Sequence, residues 1–144
     1  MRTGSAGLTL IKRFEGFSAT PYLCPANIHT IGYGHVIVAH ERDLLTQVDE
    51  AQAERLLVQD VHAAERAVQN LITIPLRQNQ FDALVCFTFN LGSGTLQRST
   101  LRRVINRWDE EAVAGQWMRF VWAGGRKLSG LVRRREAELA LYFS

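Results

Sequence analysis

No apolar run in these 144 residues approaches the roughly 18–20 that span a bilayer, so no transmembrane helix is expected. Two cysteines cannot build a disulfide scaffold, and His and Cys show no zinc spacing. No metal and no cofactor are expected on that basis. Proline occurs three times, at 21, 25 and 75, and no repeat, linker or low-complexity tract interrupts the chain. Residues 1–7 hold one Arg and no apolar stretch, and Lys12 and Arg13 interrupt Leu8, Leu10, Ile11 and Phe14. The reading is a chain with neither a cleaved signal peptide nor a membrane anchor.

What is present suits one soluble domain: 47% hydrophobic and 22% charged residues over 144 positions. The net charge of +3 is unevenly placed. Residues 119–144 carry six Lys or Arg against two Glu, whereas the remainder is almost balanced. That excess suits either an anionic partner or a solvated, Arg-rich final helix. No recognition helix with interleaved aromatics is visible, so nucleic acid is not the expected partner.

The patterning predicts an α+β chain. A first helix spans 5–15, with Ser5 as its cap, Leu8, Ile11 and Phe14 on one stripe and Gly16 as its stop. Residues 17–39 are β-rich and punctuated by Gly and Pro, which predicts a small antiparallel sheet. From about 49 the spacing becomes helical, through Ala53, Leu57, Val61, Ala64, Val68, Leu71 and Ile72. Residues 77–91 are apolar almost all round, the mark of a central buried helix stopped by Gly92 and Gly94. Ser99 or Thr100 caps the next helix, Asp109 caps another, Gly124, Gly125 and Gly130 bracket a loop, and 131–143 form the last helix. One domain, 1–144, is expected: helix 5–15, a sheet lobe of about 16–48, a helical lobe of about 49–144 and a cleft between the lobes.

The hairpin yields a geometric expectation. With Pro25-Ala26-Asn27 as a three-residue loop, Pro suits the first position and Asn the left-handed last one. Cys24 then pairs with Ile28 and Tyr22 with Thr30, and all four share one face. A two-residue loop would instead put Cys24 and Thr30 on opposite faces. Glu15 ends the first helix beside Phe14 and Phe17. Desolvation there favours the protonated carboxyl that a general acid needs.

These residues carry a resemblance. Lys12-Arg13-Phe14-Glu15-Gly16, Tyr22-Leu23-Cys24 and Thr30-Ile31-Gly32-Tyr33-Gly34-His35 resemble the phage lysozyme (endolysin) family, glycoside hydrolase family 24. The segments Gln78 to Leu84, Phe89-Asn90-Leu91-Gly92, Ser99-Thr100-Leu101, Gly124-Gly125 and Gly130 to Arg135 continue it. The resemblance implies a lysozyme-like fold and hydrolysis of the β-1,4 bond between N-acetylmuramic acid and N-acetylglucosamine in peptidoglycan, lysing the host cell. Glu15, Cys24 and Thr30 match the family's catalytic motif: Glu15 as acid, Cys24 and Thr30 as residues that activate water or stabilise an oxocarbenium-like transition state. Cys24 stands where Asp is the other family choice, and a thiol gives comparable charge only if its pKa is lowered locally.

Phe89 and Asn90 match a block lining the cleft, with Asn90 a donor to a substrate acetamido group. His35 joins them as a substrate-facing candidate, against a competing role as a structural bond between the sheet and the helices. One of Arg133, Arg134 and Arg135, placed at a helix start, is expected to pair with Glu15. Cys86, Trp108, Trp117 and Trp122 read as core, and the two cysteines as free thiols. Residues 36–48 depart from the family, which usually has a Gly-rich turn there. Their third strand and the loop after it are left open, longer or partly helical. The implied partner is the glycan strand, acted on by a monomer without a stable membrane anchor. The protein is expected in the bacterial cytoplasm until a holin gives access to the periplasmic wall. A lytic transglycosylase and a non-catalytic wall-binding module are the alternatives.

Overall fold

The structure, a computed structural model, describes residues 1–144. The chain clusters into two compact units, Ile11–His62 and Met1–Leu10 with Ala63–Ser144.

The first unit holds the end of α1 (Ser5–Glu15), the three-stranded antiparallel sheet β1 (Ser18–Leu23), β2 (His29–Gly32) and β3 (His35–Val36), and α2 (Glu50–Asp60). Gly16, at φ +73°, ends α1 as expected, its N–H reaching the Lys12 carbonyl. Tyr22 pairs with Thr30 and Leu23 with His29. Cys24 N–H donates to Ile28 O at 3.0 Å, Asn27 N–H donates to Cys24 O at 2.8 Å, and Asn27 takes φ +60°. The three-residue loop and its register are therefore those that Pro25 and Asn27 dictate. The open segment after the His is a two-residue strand followed by a single helical turn at Ala39–Glu41. Asp49 caps α2, accepting from Gln52 N–H at 2.7 Å while Gln52 returns the bond at 2.8 Å. Ile31, Val48 and Ala53 form this unit's buried cluster, ringed by Tyr33, Ile37, Leu45 and Leu56. Gly32 makes it possible: a Cβ there would meet Ala53 Cβ at 3.1 Å.

The second unit is built around α4 (Gln78–Leu91), whose residues 80–88 are all buried, as the all-round apolar pattern predicts. α8 (Ser129–Tyr142) packs on it, with α3 (His62–Leu71), α5 (Ser93–Arg98), α6 (Thr100–Asn106) and α7 (Glu110–Trp117) completing the helices. Phe87, Trp117, Phe120 and Tyr142 form an aromatic chain with centroid spacings of 5.0–5.4 Å. Ser99 caps α6, accepting from Arg102 N–H at 3.0 Å.

Several local expectations need correction. Ser5 lies inside α1 and does not cap it. Asp82 of α4 does that work, accepting from Gly4 N–H at 2.9 Å and Gly7 N–H at 3.1 Å. Gly94 does not stop a helix but sits inside α5, Gly92 alone making the break. The Gly124-Gly125 region is a hairpin, β4 (Trp122–Ala123) and β5 (Arg126–Lys127), because two successive positive-φ glycines build the tight turn that strand twist favours. α8 begins at Ser129, so Arg133–Arg135 lie in its second turn, away from the N-terminal dipole.

Candidate active site

Glu15 is the last residue of α1, and its carboxylate is partly exposed where the chain turns into the sheet. A pocket of about 310 Å³ opens beside it, lined by Glu15, Gly16, Phe17, Ser18 and Tyr22. Gly34, at φ +78°, lies under the carboxylate: a Cβ there would stand 3.0 Å from Glu15 Oε2.

Tyr22, on the hairpin, lines the same pocket as the acid. Its hydroxyl is pushed above the ordinary value near 10 by burial, then by the neighbouring charges of Glu15 and Cys24. Thr30 is buried opposite Tyr22, and Cys24 is two residues along the same face. Backbone N–H bonds from Ile28 and Ala26 to sulfur draw the Cys24 thiol below its usual range; partial burial opposes them and a bond from the Thr30 hydroxyl adds to them. The hairpin turn thus supplies the local lowering that a thiol in an Asp position requires. The Thr30 hydroxyl also donates to Ile28 O at 2.9 Å, so its single proton serves either the carbonyl or the sulfur. The structure brings Glu15, Cys24 and Thr30 together, with Tyr22 as a fourth member. Sequence placed Tyr22 on this face and gave it no role; the i−2 spacing from Cys24 was the available signal.

His35 is held at both ring nitrogens within the same unit. Nδ1 lies 2.8 Å from Asp60, and Nε2 lies 3.1 Å from Glu41. Burial lowers its pKa, but the bonds and charges of Asp60 and Glu41 outweigh it, leaving the imidazole above its ordinary value. This clamp joins β3 to α2 and to the helical turn, so His35 acts as a structural tie.

Phe89 and Asn90 end α4 in the second unit, both half-buried. Asn90 Oδ1 accepts from Arg135 Nη2 at 2.7 Å. Arg134 and Arg135 are buried and share Glu138, itself fully buried. Arg135 Nε lies 2.8 Å from Glu138 Oε1, close enough for a strong ion pair though off hydrogen-bond alignment, and Nη2 makes the aligned bond to Oε2 at 3.0 Å. Trp117 Nε1 donates to Glu138 Oε1, the oxygen paired with Arg135 Nε, at 3.0 Å. Sequence missed Glu138, although its i+3 and i+4 spacing from Arg135 and Arg134 was visible.

Trp117 is core, but Trp108 and Trp122 are each 61% exposed, against expectation. Trp108 sits at φ +61° in the reversal after α6, and Trp122 lies on the β4–β5 hairpin opposite Lys127. Turn geometry, which periodicity does not see, puts both outside. Cys86 is buried and both cysteines are free thiols.

The phage lysozyme family model matches residues 12–138. The endolysin of Acyrthosiphon pisum secondary endosymbiont phage 1 is 36% identical across all of this chain and 99% of its own length. The Bacillus phage B103 endolysin is 36% identical across all of this chain, which spans 55% of that protein's length. Among solved structures, the muramidase domain of SpmX from Asticaccaulis excentricus superposes with a TM-score of 0.89 at 35% identity, covering 99% of this chain and 98% of that one. Sequence and fold thus agree along nearly the whole chain, which belongs to the phage lysozyme family.

Proposed function

We propose that this chain is a muramidase of the endolysin type, its 144 residues acting as a single catalytic domain that hydrolyses the β-1,4 bond between N-acetylmuramic acid and N-acetylglucosamine. The observation that carries the reading is the clustering of Glu15, Tyr22, Cys24 and Thr30 around one hairpin face, next to an open pocket. Glu15 donates its proton to the bridging oxygen as the bond to the leaving sugar breaks. Cys24, drawn toward the thiolate, supplies negative charge near the developing oxocarbenium ion or accepts a proton from the attacking water. Thr30 orients that water and, by donating to sulfur, steadies the charged form of Cys24. Phe89 and Asn90 contact the glycan.

A lytic transglycosylase acting through a single acid would not need the thiol and hydroxyl, so their presence favours hydrolysis. The chain acts on the periplasmic wall as a monomer, and holds in the cytoplasm until a holin opens the membrane. Turbidity loss of outer-membrane-stripped cells tests the catalytic assignment. Glu15→Gln should abolish lysis, and mass spectrometry should find reducing muramic ends, not 1,6-anhydro ends. Lysis by Glu15→Gln at the wild-type rate would refute the assignment. Expression with and without a holin tests the route to the wall.

A further inference from the structure

We propose that the β4–β5 hairpin is a peripheral membrane-docking element that rests on anionic phospholipid, with Trp122 entering the headgroup layer and Arg126, Lys127 and Arg133 meeting lipid phosphates. No residue of this hairpin takes part in the proposed hydrolysis.

The positive excess of the C-terminal stretch is concentrated here. No Asp or Glu occurs between Glu111 and Glu136, an interval holding six Lys or Arg. Two of the six, Arg134 and Arg135, are buried and held by Glu138. The other four, Arg119, Arg126, Lys127 and Arg133, are exposed, and none of them pairs with a carboxylate. Arg133 Nη2 stands 3.8 Å from where a Cβ on Gly130 would be, so its charge lies at the foot of the hairpin.

The shape suits a surface. Every residue from 122 to 130 is exposed. A Cβ on Gly124 or on Gly125 would meet nothing within 4 Å, so the turn stands clear of the body. Trp122 and Lys127 are cross-strand partners and share one face. Trp122 is 61% exposed and Leu128 42% exposed, apolar area that internal packing leaves in water. An indole combines an apolar ring with one N–H donor and settles where hydrocarbon meets water. Each cation near an anionic leaflet adds about fivefold in partitioning. A glycan or a nucleic acid is gripped by a groove, and this convex turn has no opposing wall. A planar fluid surface needs only a protruding point. Trp108 supplies the internal contrast: it is also 61% exposed, but Asp109, Glu110 and Glu111 follow it, and an anionic surface repels that corner. One indole and a few cations give reversible attachment, not an anchor.

The test is sedimentation with sucrose-loaded vesicles of phosphatidylcholine, alone or mixed in equal parts with phosphatidylglycerol. Indole emission in a Trp108→Phe background reads insertion of Trp122. The protein should bind the mixed vesicles, shift its emission to the blue and come off as salt is raised. Arg126→Gln combined with Lys127→Gln should cut partitioning about 25-fold, at about fivefold per cation. Trp122→Ser should cut it about tenfold, and Trp108→Ser should leave it unchanged. These side chains are exposed, so the variants should melt with the wild type and hydrolyse purified sacculi at its rate. Equal binding to pure phosphatidylcholine, or wild-type partitioning by the double Gln variant, would overturn the proposal. So would an emission that stays put while the protein sediments. Hairpin variants that keep the vesicles but lose their hold on sacculi would make the wall the partner instead. The catalytic reading fails separately, through Glu15→Gln, which should bind vesicles as the wild type does.

Discussion

Two cysteines, one in each unit, occupy opposite chemical settings. Cys24 stands on a hairpin whose backbone N–H groups point at its sulfur, and its thiol is drawn down toward ionisation. Cys86 lies in the middle of α4, where burial first and the Glu138 charge second push its thiol far up, in spite of Arg134 Nη2 at 3.9 Å. The contrast extends to the other ionisable groups. In residues 11–62 they remain partly wet: Glu15, His35 and Asp60 each keep some contact with solvent. In the helical unit Asp82, Arg134, Arg135 and Glu138 are all at most 5% exposed and are engaged by one another, by backbone or by neighbouring side chains. Reactivity therefore belongs to the unit whose charged groups reach solvent, and rigidity to the unit whose charged groups are sealed in.

The contrast is sharpest in alkylation. Iodoacetamide on the native protein should label Cys24 faster than Cys86 by on the order of 100-fold or more, since only the accessible thiolate reacts. Thr30→Val should slow Cys24 labelling, because it removes one bond to the charged sulfur. Peptide mapping by mass spectrometry reads both sites; equal labelling would erase the distinction.

The next largest effect tests rigidity. Glu138→Leu leaves two arginines and an indole N–H buried without their acceptor, and should destabilise by about 3–5 kcal/mol. Calorimetry should show a fall in Tm of more than 5 °C, taking ~2–4 °C per kcal/mol for a chain of this size. A fall of under 2 °C would mean water already reaches this network, at roughly 1 kcal/mol or less. Asp82→Ala removes both acceptors from the first turn of α1 and should cost about 1–3 kcal/mol in denaturant melts.

Much of the sheet-bearing unit was legible in the sequence. Pro25 and Asn27 dictate the loop, the loop dictates the register, and the register puts Cys24 and Thr30 on one face. The helical unit was legible only as helices. Asp82 caps a turn 75–78 residues away, and no periodic pattern announces such a partner. Glu138 does sit three and four residues from Arg135 and Arg134, but that spacing looks the same on a solvated face. The two exposed tryptophans were misplaced because a left-handed residue and a two-glycine turn each rotate the chain off the helical stripe.

The smallest expected effect is pH-linked. The folded-state pKa of His35 is raised above its ordinary 6.5, through Asp60 and Glu41 acting against burial. Its stabilisation is full below the unfolded value and is lost as pH rises through the higher folded value. Tm should therefore decline across the neutral range, and His35→Gln should flatten that decline. Glu41, held below its usual value, contributes in the opposite sense, and only on acidification.

Gly34 couples foldability to fitness. Any side chain there strains a backbone held at φ +78° and also meets the tip of Glu15. Variants at this codon would consequently lose about 1 kcal/mol or more of stability and would also fail a plaque or zymogram screen. A saturation library would record the position as intolerant for two reasons at once, backbone strain and displacement of the Glu15 carboxylate.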